Sequence, residues 1–146
     1  MRSLTLTALC MGLLGLGGFP PPAAAQPLEF VSNGSFQDIG PRYQGTGTVN
    51  MVVAQGGIVE LQFQDDFAVP PGPDLEGWLI DGTTPTSSGD VLVQEYLSLG
   101  PLQSFTGLQS YELPSGVIGQ DYDAVIIWCE DFGVLFSAAA LVQPGG

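Results

Sequence analysis

The sequence predicts an all-β chain: a single antiparallel β-sandwich or barrel of about eight short strands, preceded by a signal peptide. Three observations carry this expectation. Glycine and proline punctuate the chain, 21 and 12 residues respectively, and the runs between them favour Val, Ile, Phe and Tyr, which suit a pleated, half-buried surface. No stretch combines a helical apolar period with caps. Val59, Leu61 and Phe63 alternate strictly with Glu60, Gln62 and Gln64, the period of two of a strand with one face buried.

Taken in order, residues 1–25 read as a secretory leader. Arg2 supplies the positive start, Leu4 to Phe19 the apolar core, and Ala23-Ala24-Ala25 the small-residue pattern before a cut at Gln26. A membrane span would need about 20 apolar residues. Leu9 before Cys10 is a poor context for lipid attachment. The expected product is one domain, residues 26–146, which is 146 − 25 = 121 residues, secreted or held in the periplasm or cell envelope.

Leu28 to Val31 opens the domain and Asn33-Gly34 signals a turn. Tyr43 to Ala54 alternates weakly, Gln55-Gly56-Gly57 marks a tight hairpin, and Ile58 to Phe67 is the alternating strand. Pro70, Pro71 and Pro73 break the chain before a strand over Asp74 to Ile80. In Gly72-Pro73-Asp74 the aspartate is expected to bond backbone amides as a turn residue. Asp81 to Asp90 is the most polar stretch and reads as an exposed loop, followed by strands at Val91 to Leu99 and Tyr111 to Leu113. Tyr122 to Cys129 and Phe132 to Val142 form the closing pair. Both faces of the first of these are apolar, Val125, Ile127 and Cys129 on one and Ile126 and Trp128 on the other. That pattern belongs to a central strand covered on both sides.

Charge and composition exclude several functions. All 15 acids follow the expected cut and Arg42 is the only base left, so the product carries 1 − 15 = −14. Without lysine or histidine it has little to offer a phosphate, which argues against nucleic acid and anionic membrane partners; solubility is the simpler reading of the charge. The absence of histidine removes histidine-based triads and imidazole metal sites. No glycine-rich phosphate loop is present. The pairs Asp65-Asp66, Asp121 with Asp123, and Glu130-Asp131 suggest carboxylate or calcium chemistry, but none has calcium-loop spacing and neighbouring strand acids point to opposite faces. Solvated surface is the expectation for each, with no metal site. No catalytic constellation is visible, and the domain is not expected to act as an enzyme on its own.

Cys129 remains. With Cys10 removed it is the sole cysteine, and no intrachain disulfide can form. It is either a redox thiol or thiolate ligand, or a small hydrophobe in a central strand. Apolar neighbours and the acids Glu130 and Asp131 disfavour a thiolate, and only Arg42 could counter them.

GPDLEGWL (Gly72 to Leu79), GLQSYELP (Gly107 to Pro114) and DAVIIWCEDFGVLFSAAAL (Asp123 to Leu141) resemble the successive motifs of the electron-transfer DM-thirteen domain family. The resemblance spans about Gly34 to Val142. It implies an extracytoplasmic β module with a redox or electron-transfer role for the cysteine that falls on Cys129, as a bare thiol or with a prosthetic group such as haem. Family members commonly carry a histidine near the start; here the region reads Pro41-Arg42-Tyr43-Gln44-Gly45. A haem would then need Met51, a tyrosine or an external ligand opposite Cys129. The functional expectation is an exported accessory domain for electron transfer, centred on Cys129 and served by a redox or envelope protein partner. The alternative is a binding or structural module in which Cys129 is core packing.

Overall fold

A computed structural model describes residues 15, 17–21 and 28–145. Cys10, the cut after Ala25 and most of the expected leader lie outside the described residues. Among the described residues nine strands form: β1 Glu29–Ser35, β2 Gln37–Asp38, β3 Thr48–Val53, β4 Val59–Phe63, β5 Leu75–Asp81, β6 Glu95–Pro101, β7 Gln109–Glu112, β8 Ala124–Cys129 and β9 Val134–Ala140, with one short α-helix, α1, at Ser88–Val91. They build two antiparallel sheets in the orders β1-β3-β4-β7 and β2-β9-β8-β5-β6. The all-β expectation holds, and the architecture is a sandwich.

The inward faces of the two sheets supply the main core. Phe36, Met51, Leu61, Phe63, Phe67, Leu79, Tyr111, Val125, Ile127 and Phe136 are all buried in it. Phe63 anchors it, with ring centroids 4.6 Å from Phe67, 5.2 Å from Phe36 and 5.4 Å from Tyr111. Burial of such side chains contributes roughly 1.5–3 kcal/mol each. A second, smaller cluster lies on the outer face of the five-stranded sheet and includes Trp78, Ile80, Val91, Ile126, Trp128 and Leu135. All six residues of β8 are therefore buried, as its two apolar faces predict.

Four local expectations need correction. Asn33-Gly34 is not a turn: β1 runs through it. Gly34 is required there because an added Cβ would meet the backbone carbonyl of Ala140, and Asn33 exchanges backbone hydrogen bonds with Val142 at 3.0 and 2.8 Å. This close approach closes one side of the sandwich. The next residues explain the extra strand. Phe36 turns into the core, and β2 joins the other sheet, with Gln37 opposite Ala138 and Asp38 opposite Ser137.

The polar stretch Asp81 to Asp90 is not all loop. Ser87 and Asp90 form a capping box: Asp90 N–H donates to Ser87 Oγ at 3.3 Å and the Asp90 carboxylate accepts from Ser87 N–H at 2.9 Å. The Ser88 hydroxyl then accepts from Leu135 N–H at 3.0 Å, seating α1 on β9. The strand expected from Val91 accordingly begins only at Glu95. The Gln55–Gly57 hairpin forms as expected, with Gly56 and Gly57 at φ 81° and 78°, the left-handed region that glycine enters without penalty. Finally, Asp74 bonds through its backbone carbonyl, which accepts from Glu130 N–H at 2.9 Å, and not through its carboxylate.

Candidate functional site

Strand periodicity sends Val125, Ile127 and Cys129 of β8 into the sandwich core and Ile126 and Trp128 to the opposite face. Cys129 ends the strand as a free thiol with 0% exposure. It stands between Leu75 of β5 and Val134 of β9. Just beyond it, Glu130, Asp131 and Phe132 are exposed, so the chain passes from sealed core to solvent within one residue. The β8–β9 register slips between Ile127 and Trp128. Such a bulge re-aims a side chain, and Phe136 turns inward to pack on Tyr43 at 4.6 Å. Arg42, the only base among the described residues, is exposed on the turn after Gly40.

The residues do not fit a haem. A haem needs open space at its axial ligand, whereas Cys129 and Met51 are both at 0% exposure within the packed core. Three surface hollows, of about 270, 290 and 410 Å³, have neither residue in their walls.

The acidic pairs do not converge. Among the described residues no three Asp, Glu or Cys groups gather as a metal would require. Asp66 instead ties β3 to the turn after β4. Its carboxylate accepts from Thr48 N–H at 2.8 Å and Thr48 Oγ at 2.9 Å, and these bonds hold its pKa below the ordinary carboxylate value. Asp123 accepts from Gly82 N–H at 3.0 Å. Asp90 is held low by the Thr86 backbone first, then the Ser87 and Thr86 side chains. These carboxylates serve turns and caps.

One arrangement was not anticipated from the sequence. On the outer face of the five-stranded sheet, Tyr96 stacks on Trp78 with centroids 3.9 Å apart and planes 7° from parallel. Trp78 in turn lies 5.2 Å and 28° from Trp128. The register explains both contacts. Trp78 faces Ser98 of β6 and Ile126 of β8, so Tyr96 and Trp128 are its diagonal neighbours, within reach of aromatic rings. Trp78 Nε1–H donates to Glu76 Oε2 at 2.8 Å, and Ser98 Oγ donates to the same oxygen at 2.8 Å. Tyr96 is 52% exposed, Trp78 4% and Trp128 3%. A column of three rings thus runs from solvent to the residue next to Cys129. Its sequence signal is faint: an aromatic two residues from Glu76 on one strand and two from Ser98 on another.

The family model described as Electron transfer DM13 matches residues 36–141. No curated protein matches the chain, and no solved structure does.

Proposed function

Because the chain belongs to the Electron transfer DM13 family, we propose that it is an exported accessory domain for electron transfer, with Cys129 as its redox thiol. The supporting observation is the placement of Cys129. It is a free thiol at the solvent-side end of the central strand, inside the segment that the family model matches. Burial keeps such a thiol from casual oxidation outside the cell, and reaction there requires local opening of the core that encloses it. The leader-like residues 1–25 and the acidic, lysine-free composition support export. The acidic surface suits a basic redox protein as partner and disfavours nucleic acid or anionic lipid.

The complete burial of Cys129 among apolar side chains favours a second reading, in which the thiol is core packing and the domain is a binding or structural module. Alkylation of the purified domain by a maleimide separates the two. Labelling of native protein faster than global unfolding supports the redox thiol. Labelling that awaits denaturation, in a protein without visible absorbance, removes it and leaves the packing role.

A further inference from the structure

We propose that Trp78 is a redox-active side chain, with Glu76 as its proton acceptor and Tyr96 as the surface contact through which the electron leaves. The inference rests on the electron-transfer reading of the family but not on Cys129.

The indole is shielded, at 4% exposure, so no external oxidant touches it directly. Tyr96 covers it face to face at 3.9 Å and is itself 52% exposed. Any partner docked on this side meets the phenol ring, and electronic contact with Trp78 runs through the stack. Trp128 extends the column inward, ending one peptide bond from the sandwich core.

The hydrogen bond at Nε1 supplies the chemistry. A buried indole N–H needs a partner, and a neutral carbonyl would satisfy it. Here the partner is a carboxylate at 2.8 Å. Ser98 Oγ donates to the same carboxylate oxygen and accepts from Gly100 N–H at 3.1 Å, fixing the carboxylate in place. Loss of one electron from Trp78 makes its N–H far more acidic than in the neutral indole, within reach of a carboxylate base. The proton then moves along the existing hydrogen bond to Glu76, and a neutral indolyl radical remains. The electron passes through Tyr96 to a strong one-electron oxidant on the partner, such as a high-potential metal centre. Trp78 with ionised Glu76 and the oxidant become the indolyl radical, protonated Glu76 and the reduced acceptor; return of one electron and the proton restores the start.

The test is flash oxidation of the full domain with a ruthenium polypyridyl photo-oxidant and a sacrificial quencher, followed by transient absorption. The chain has two tryptophans, so Trp78→Phe leaves only Trp128. The native protein is expected to give the neutral indolyl radical, and Trp78→Phe to abolish it. Glu76→Gln is expected to slow deprotonation by roughly 100-fold, the usual contribution of a positioned base, so that the protonated radical cation becomes visible. Tyr96→Leu, which still covers Trp78 but removes the stacked ring, is expected to lower the radical's rate of formation. Cys129→Ala is expected to retain the radical, which separates this relay from the thiol reading. A melting curve for each variant identifies any that fail to fold. Folded Glu76→Gln and Tyr96→Leu proteins with native radical kinetics would overturn the proposal, as would loss of the radical in folded Cys129→Ala.

Discussion

Trp128 and Cys129 are consecutive on β8 and serve opposite faces of one sheet. Trp128 packs 5.2 Å from Trp78 in the outer cluster, and Cys129 closes the inner core. The strand is thus shared between two apolar layers, and substitutions at its end report on both.

Cys129→Ala is expected to cost about 1–2 kcal/mol, because it removes one buried atom and leaves a small cavity. Cys129→Ser should cost more, by roughly 1–3 kcal/mol, since the hydroxyl would be buried without a partner. Urea unfolding measures both. Equal stability of the two variants would mean that a hydroxyl finds a partner at this position.

Gly34→Ala is expected to destabilise the domain by roughly 1–3 kcal/mol. The added methyl would meet the Ala140 carbonyl, and that group is backbone in a paired strand. Gly133→Ala has open space around it but a φ of 61°, so its cost is one of backbone conformation alone. Thermal melts of the two variants compare a steric penalty with a torsional one.

Tyr111 contributes to behaviour at high pH, together with Tyr122, whose pKa is raised by burial and by the charges of Asp121 and Asp81. The Tyr111 hydroxyl donates to Gln109 Oε1 at 2.6 Å and accepts from Gln103 N–H at 3.0 Å. Burial raises its pKa above the ordinary value of 10.0. The folded state therefore holds the proton more tightly than the unfolded state, and the stabilisation is present below pH 10 and lost as pH rises through the folded value. Melting temperature should fall in that alkaline range. Tyr111→Phe should show a shallower fall, while costing about 1 kcal/mol at neutral pH through the lost hydrogen bonds.

Asp66 acts in the opposite direction. The Thr48 backbone and hydroxyl lower its pKa from 3.8, so its stabilisation is present above that value and fades as pH falls through the folded one. Asp66→Asn should melt below the native protein at neutral pH. The two curves are expected to converge below pH 3.8. A constant gap across the acid range would show that the side-chain shape, not its charge, secures the Asp66 turn to Thr48 of β3.

Much of this was legible in the residues. The strict alternation of Val59 to Gln64 became β4, and the two apolar faces of Tyr122 to Cys129 became a strand buried on both sides. The Gln55–Gly57 turn was readable because glycine at positive φ has a local cause. The capping box at Ser87 and Asp90 has a local signal too. A four-residue helix is not stable on propensity, however, and it exists because Val91 and Ser88 dock on the sheet. Gly34 misled for a related reason: its glycine answers to Ala140, more than a hundred positions away in the chain.

The residue order alone set strand character, the double burial of β8 and the exclusion of imidazole chemistry. Each is a property of composition or local period. Only the tertiary structure decided that Cys129 is sealed at 0% exposure, and that Tyr96, Trp78 and Trp128 form one column over Glu76. Those contacts depend on which strands pair and in what register. A slip of one residue would send every one of those side chains to the other face, and nothing local to any single strand fixes it.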